Sequence, residues 1–357
     1  MKAWILDNVN EYSLKEVEKP KIHSGQALIK VHACGICGSD IPRVYQNGAH
    51  KMPLIIGHEF AGEIIDICND GSIEYSYNTG DRVGIFPLIP CMECGPCKKQ
   101  KYEMCRHYSY LGSRCDGGFA DEVVVPLWNL IKIPENVSYE AAAMLEPMAV
   151  AVHAMRRVTD GDTQSDKDSK KIAIYGLGTI GTLLAVFLNE AGYRNIYAIG
   201  NKDFQRDTFE RLGFNIECFC DSRKADVSEW ISNISDGNGA DIFFECIGKS
   251  ETISDTINLT APGGKVCLVG NPYTDVSMSR DVYWKILRNQ IEVTGTWNSS
   301  FTHDKYDDWN YVISRLADET IAPEKLITHR YGIDDIDSGF KLMRDKSEDY
   351  IKVMMVN

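Results

Sequence analysis

The chain has 357 residues, 44% hydrophobic and 25% charged, an ordinary globular composition and more chain than one core needs, so about two domains are expected. Lys and Arg number 38 against 51 Asp and Glu, a net charge of −13; this acidic field argues against nucleic-acid and anionic-membrane partners and requires local basic residues for any anionic substrate. Asp7 interrupts the N-terminus before a secretory segment forms, no apolar run approaches the ~18 residues of a membrane span, and twelve cysteines point to thiols and metal sites in a reducing compartment, so a cytoplasmic protein is expected.

In chain order, residues 1–35 alternate short apolar runs with polar turns, and Gly25–Val31, Gly62–Ile67 and Gly80–Ile85 have the turn-bounded character of strands. Asn69–Thr79 is a polar surface loop by the same reading. Phe119–Ile133 supplies two more short strands broken at Pro126, so the chain to about residue 147 forms a mostly-β, barrel- or sandwich-like domain.

Within it, Cys37-Gly38-Ser39-Asp40 and Gly57-His58-Glu59-Phe60 bring a thiolate, an imidazole and a carboxylate. Zinc accepts these three side-chain types, and a catalytic zinc keeps three protein ligands with a fourth position open. A lone Cys or His is more often core; what strengthens the metal reading is a second cluster. Cys91, Cys94, Cys97 and Cys105 are spaced C-x2-C-x2-C-x7-C in a Gly- and Pro-containing loop. Four such thiolates close tetrahedrally on a structural zinc, and an iron–sulfur cluster is the competing reading. Cys34 forms a C-x2-C pair with Cys37 but has no thioredoxin-like surroundings, so it is assigned to the core with Cys68, Cys115, Cys218, Cys220, Cys246 and Cys267.

After Glu146-Pro147 the pattern changes. Met148–Val158 is an amphipathic helix and residues 159–170 a charged connector. The strand Lys171–Tyr175, the turn Gly176-Leu177-Gly178-Thr179-Ile180-Gly181, the helix Thr182–Ala191 and the strand Asn195–Ile199 make a βαβ unit. Further strands at Asp241–Cys246, Lys265–Val269 and Glu292–Thr296 predict a parallel, doubly wound sheet. A G-x-G-x-x-G turn between strand and helix places a dinucleotide pyrophosphate on the helix N-terminus, with Gly176, Gly178, Thr179, Ile180 and Gly181 as contacts. An acid about 20 residues on normally takes the ribose 2′-OH of NAD. Gly200-Asn201-Lys202 stands there instead, removing the carboxylate that repels a 2′-phosphate and offering Lys202 and Arg206 to pair with it. NADP is therefore favoured over NAD, and Asp203 is the residue that keeps NAD open.

With these motifs the chain resembles the zinc-dependent medium-chain dehydrogenases over nearly its whole length, and within them the polyol branch of sorbitol and galactitol-1-phosphate dehydrogenases. The resemblance is carried by Cys37–Arg43, Asn47–His50, Gly57–Phe60, the Cys91–Cys105 lobe, Gly112-Ser113-Arg114, Asp116–Ala120 and Glu146-Pro147. It implies an α/β chain with a GroES-like, mostly-β catalytic domain from residues 1–150 and 297–357, a Rossmann domain from 151–296, and a homo-oligomer, dimer or tetramer.

By position it implies that Cys37, His58 and Glu59 hold a catalytic zinc, that Glu146 supplies a further ligand or water contact where alcohol dehydrogenases commonly have Cys, and that Ser39 passes the substrate proton outward. The His that ends this relay in many relatives is Pro42 here, leaving His50 or bulk water. The implied activity is hydride transfer between a sugar alcohol or sugar-alcohol phosphate and a nicotinamide cofactor, giving the ketose, with zinc lowering the pKa of the substrate hydroxyl. Arg43, His50, Arg114 and Phe119 are the expected substrate contacts; the two arginines either grip a phosphate or pair with internal acids such as Asp40 and Asp116. The alternatives are a quinone-reductase-like member without catalytic zinc, a kind that lacks the Cys37, His58 and Glu59 set, and a nucleotide-sensing protein on the same scaffold; two zincs per chain distinguish the dehydrogenase from both.

Overall fold

The computed structural model describes residues 1–69 and 76–357, so the loop expected at Asn69–Thr79 falls largely outside the described residues. The chain divides into two compact units, Met1–Ala149 with Ser299–Asn357, and Val150–Asn298.

The first unit is organised around one long strand, Gln26–Ile36. It pairs antiparallel with Glu59–Cys68 along most of its length, with Glu122–Pro126 over its first half and with Lys352–Val356 over its second. The strand runs past the expected Val31 because Ala33, Cys34 and Ile36 are also buried and the C-terminal strand supplies their backbone partners. That partner lies over 300 positions away, beyond any local reading. Cys34 is fully buried in the core, as expected from its surroundings. Arg82–Ile85 and Leu130–Lys132 extend the same sheet beyond Glu59–Cys68.

The second unit is a six-stranded parallel sheet in the order Phe219–Asp221, Asn195–Gly200, Lys171–Tyr175, Ala240–Glu245, Thr260–Leu268 and Glu292–Gly295. The order reverses beside the first strand, Lys171–Tyr175, which is where open α/β sheets bind ligands. Ile172, Ala173 and Ile174, like Ile242, Phe243 and Phe244, are buried without alternation, the pattern of central parallel strands.

Two local expectations change. The connector 159–170 contains a helix, Gln164–Ser169, because Thr163 and Asp166 form a reciprocal capping box that outweighs the polar composition. The helix expected at Met148–Val158 spans Leu145–Thr159, which brings Glu146 into its first turn.

Candidate active site

Cys37 follows directly on the Gln26–Ile36 strand, and Glu59 opens the strand that pairs with it through Gly35. The register thus brings two motifs from separate segments together: one ligand atom each from Cys37, His58 and Glu59 lies within 4.8 Å of the others. Gly57, just before them, has φ +103, and a Cβ there would come within 2.7 Å of the Phe119 ring. Only glycine permits this turn.

Asp40, fully buried, ties the loop together. Its Oδ2 accepts from the Cys37 N–H (3.0 Å), and its Oδ1 accepts from Arg43 and lies 3.4 Å from His58 Nδ1. Burial opposes charge on His58, but the Asp40 carboxylate and the Cys37 thiolate outweigh it and hold the imidazole pKa well above its ordinary value. A pocket that favours a positive charge so strongly, lined by a thiolate, an imidazole and a carboxylate, fits zinc.

Glu146, expected as a further ligand or water contact, lies beside this group and not among the three residues whose ligand atoms meet. It is buried and accepts from the Tyr110 hydroxyl (3.2 Å). Burial lifts its pKa to about 7, with the nearby His58 opposing and Glu59 adding to the rise. The Tyr110 ring packs edge-on to His58, with centroids 5.8 Å apart. Lys352 donates to Glu59 Oε2 and to the Ile36 carbonyl (3.1 Å). Sequence reasoning missed Tyr110 and Lys352 as site residues. It named Asp40 only as a partner for Arg43, although the Cys37-x-x-Asp40 spacing is that of a side chain folding back on its own loop.

The expected substrate residues separate. Ser39 begins the helical turn Asp40–Pro42 without committing its hydroxyl to a cap hydrogen bond. Arg43 is paired with Asp40. His50 is exposed, and its pKa is lowered by partial burial and by the positive charges of Arg114 and Arg43. Arg114 stacks over the Tyr108 ring at 4.5 Å rather than on Asp116, whose carboxylate accepts from the Ile55 N–H. Phe119 is fully buried against Phe340 in the core, so it acts through packing and not as a substrate contact. A separate cavity of about 630 Å³ in this unit, lined by Ile5, Val17, Leu54 and Val123 among others, includes none of the cluster residues.

The cysteine lobe closes as its spacing predicts. Cys94 Sγ lies 3.4 Å from Cys97 Sγ and 3.9 Å from Cys105 Sγ, and Cys91 Sγ lies 4.0 Å from Cys97 Sγ. Backbone N–H groups of Arg106 and Cys97 draw the Cys94 thiol down to about 6, while burial pushes Cys97 up to about 12. All twelve cysteines are free, and these four form a structural, four-thiolate zinc site.

In the second unit the glycine turn opens the helix Thr179–Glu190 at its N-cap Gly178. Gly176, Gly178, Gly200, Asn201, Gln205, Ser222, Ile247, Lys249 and Thr252 are among the residues lining a cavity of about 290 Å³ there. A Cβ on Gly181 would overlap the Gly176 carbonyl. Gly181→Ala should therefore weaken binding of the reduced nicotinamide cofactor by about 2 kcal/mol, roughly thirtyfold, in a fluorescence titration. Unchanged affinity would remove the turn from the cofactor site.

Gln205 was not foreseen: it accepts from the Asn201 N–H (2.9 Å) and donates to the Leu177 carbonyl (3.1 Å). A Cβ on Gly200 would lie 2.7 Å from Gln205 Oε1 and 2.8 Å from the Phe219 ring, so packing also requires that glycine. Arg206 pairs with Asp207. Asp203 is taken by Arg223 and Lys224, each at 2.9 Å.

Residues 23–135 match the alcohol dehydrogenase GroES-like domain, and residues 179–318 match the zinc-binding dehydrogenase family. Among curated proteins, the chain is 29% identical to galactitol 1-phosphate 5-dehydrogenase of Escherichia coli (strain K12), covering 92% of each. It is 31% identical to L-threonine 3-dehydrogenase of Bacillus velezensis, covering 96% of each. The crystal structure of galactitol-1-phosphate dehydrogenase from Escherichia coli superposes with a TM-score of 0.87 at 28% identity, covering 100% of both chains.

Proposed function

We infer, because this chain belongs to the zinc-binding medium-chain dehydrogenases, that it oxidises a secondary alcohol of a sugar alcohol or sugar-alcohol phosphate to the ketose. Like the group it belongs to, it is a zinc-containing, NAD(P)-dependent dehydrogenase. The observation that carries the dehydrogenase reading is the Cys37–His58–Glu59 cluster, half-buried at Cys37 and buried at His58 and Glu59, with the Glu146–Tyr110 hydrogen bond beside it. When bound, zinc supplies the Lewis acidity that lowers the pKa of a hydroxyl. Cys37, His58 and Glu59 would hold it, Asp40 orients the loop that carries Cys37, and the Ser39 hydroxyl, free of any cap hydrogen bond, would take the proton outward to His50 or to water. No histidine stands at Pro42 to end that path.

The positive charge of Arg114 felt at His50 supports an anionic substrate, while Arg43 is already answered by Asp40. Arg114→Ala should raise KM for a polyol phosphate roughly tenfold or more and leave KM for the free polyol nearly unchanged, because a charged hydrogen bond is lost only with the phosphate. The deciding assay is a panel of free and phosphorylated polyols and L-threonine with NADP and with NAD. L-threonine belongs in it because the L-threonine 3-dehydrogenase relative is 31% identical. Turnover of L-threonine alone would overturn the polyol reading, and equal loss on both polyol forms would point to a free polyol.

Gly200 and Lys202 at the end of the second strand support NADP over NAD, and a large preference for NAD would reverse this. A homo-oligomer, dimer or tetramer, is supported by the exposed Tyr283, Trp284, Leu287 and Val293 around the terminal strand Glu292–Gly295. Among the described residues no helix is long and apolar enough to cross a membrane. The twelve free thiols support a cytoplasmic location.

A further inference from the structure

We propose that Lys352 is a positioning residue that restrains the hold of Glu59 on the metal. The inference rests on Cys37, His58 and Glu59 forming a metal site. Three strands assemble the contact. Gly35 pairs with Glu59 in one neighbouring strand and with Met354 in the other, so Glu59 and Lys352, each opening its strand, flank a residue with no side chain. A Cβ on Gly35 would overlap Glu59 Oε2 and lie 2.6 Å from Lys352 Cε. Through that gap the Lys352 ammonium donates to Glu59 Oε2 and to the Ile36 carbonyl. Both residues are only 2% exposed, so neither charge is answered by solvent.

The pair sets up a competition. One Glu59 oxygen is engaged by a fixed cation, which leaves less of the carboxylate for a metal held by Cys37 and His58. Cys37 and Glu59 bring two negative charges to one divalent ion, and Lys352 offsets part of the charge on Glu59. Glu59 then stays at hand without closing the position that a hydroxyl-bearing substrate requires.

Lys352→Met removes the ammonium and nearly keeps the volume. In zinc-depleted protein it leaves Glu59 buried and unpaired, and zinc then relieves that cost. Zinc should bind about ten- to a hundredfold more tightly. The readouts are slower zinc transfer to a chelating indicator, with the four-cysteine zinc as internal reference, and a wider gap between the melting temperatures of zinc-loaded and zinc-depleted protein. KM for the alcohol should rise, and Lys352→Arg should restore wild-type zinc transfer. A lysine that only packs predicts an equal fall in both melting temperatures and zinc release as fast as wild type or faster, which would overturn the proposal. If Lys352→Met does not accumulate, Glu59→Gln is compared with Glu59→Gln/Lys352→Met: equal zinc transfer supports the proposal and a further change overturns it. A wild-type chain carrying a single zinc would instead overturn the metal reading itself, and this inference with it.

Discussion

His58→Ala is expected to lower kcat/KM by about a thousandfold or more, because losing a metal ligand forfeits several kcal/mol of charge stabilisation at the reacting oxygen. The fold should survive. Asp40 would keep its hydrogen bonds from the Cys37 N–H and Arg43, so no buried carboxylate is orphaned when the imidazole goes. The substitution also removes the edge-on packing of Tyr110 and the contact with Cys37, which leaves a cavity beside the half-buried thiol. Zinc should fall from two per chain to one, with nicotinamide cofactor affinity unchanged because the glycine turn lies in the other unit. A His58→Ala protein that turns over substrate at the wild-type rate would remove His58 from the chemistry, and one that retains two zincs would remove it from the metal.

How much of this was readable in advance depended on the distance over which each feature is built. The cysteine lobe and the glycine turn are contiguous, their spacing encodes their geometry, and both formed as expected. The Arg43–Asp40 pair is three residues apart, a spacing at which an internal acid competes with a phosphate for the guanidinium. Phe119 shows the limit of motif reasoning: it stands in a motif shared with dehydrogenases, yet its ring is core and sets the glycine at position 57. Lys352 was invisible for a different reason. Its partner Glu59 is 293 positions away, and only the pairing of both strands with Gln26–Ile36 reveals it. Gln205, likewise, acts through a side chain folded back over the preceding turn, which no periodicity reports.

Cys97→Ser is expected to destabilise the first unit more than any of the other substitutions considered. Cys97 is, with Cys105, one of the two buried members of the lobe, and its sulfur lies 3.4 Å from Cys94 Sγ and 4.0 Å from Cys91 Sγ. The lobe has little else to order it: two short helical turns, Cys97–Lys99 and Tyr102–Met104, flanked by the exposed Lys98, Lys99, Lys101 and Arg106. A serine hydroxyl is a poor replacement for a thiolate ligand. Structural zinc contributes roughly 10–16 kcal/mol of apparent folding free energy in small zinc-finger peptides, and losing one ligand in four should cost on the order of 3–4 kcal/mol here. At about 2–4 °C per kcal/mol for a unit of this size, the first calorimetric transition should fall by about 10 °C. Trypsin should then cut at the lysines of the lobe, which the closed site protects, while the Val150–Asn298 unit melts as before. A Cys97→Ser protein with two zincs, an unchanged transition and an intact lobe after trypsin would show that the four thiols do not hold the fold.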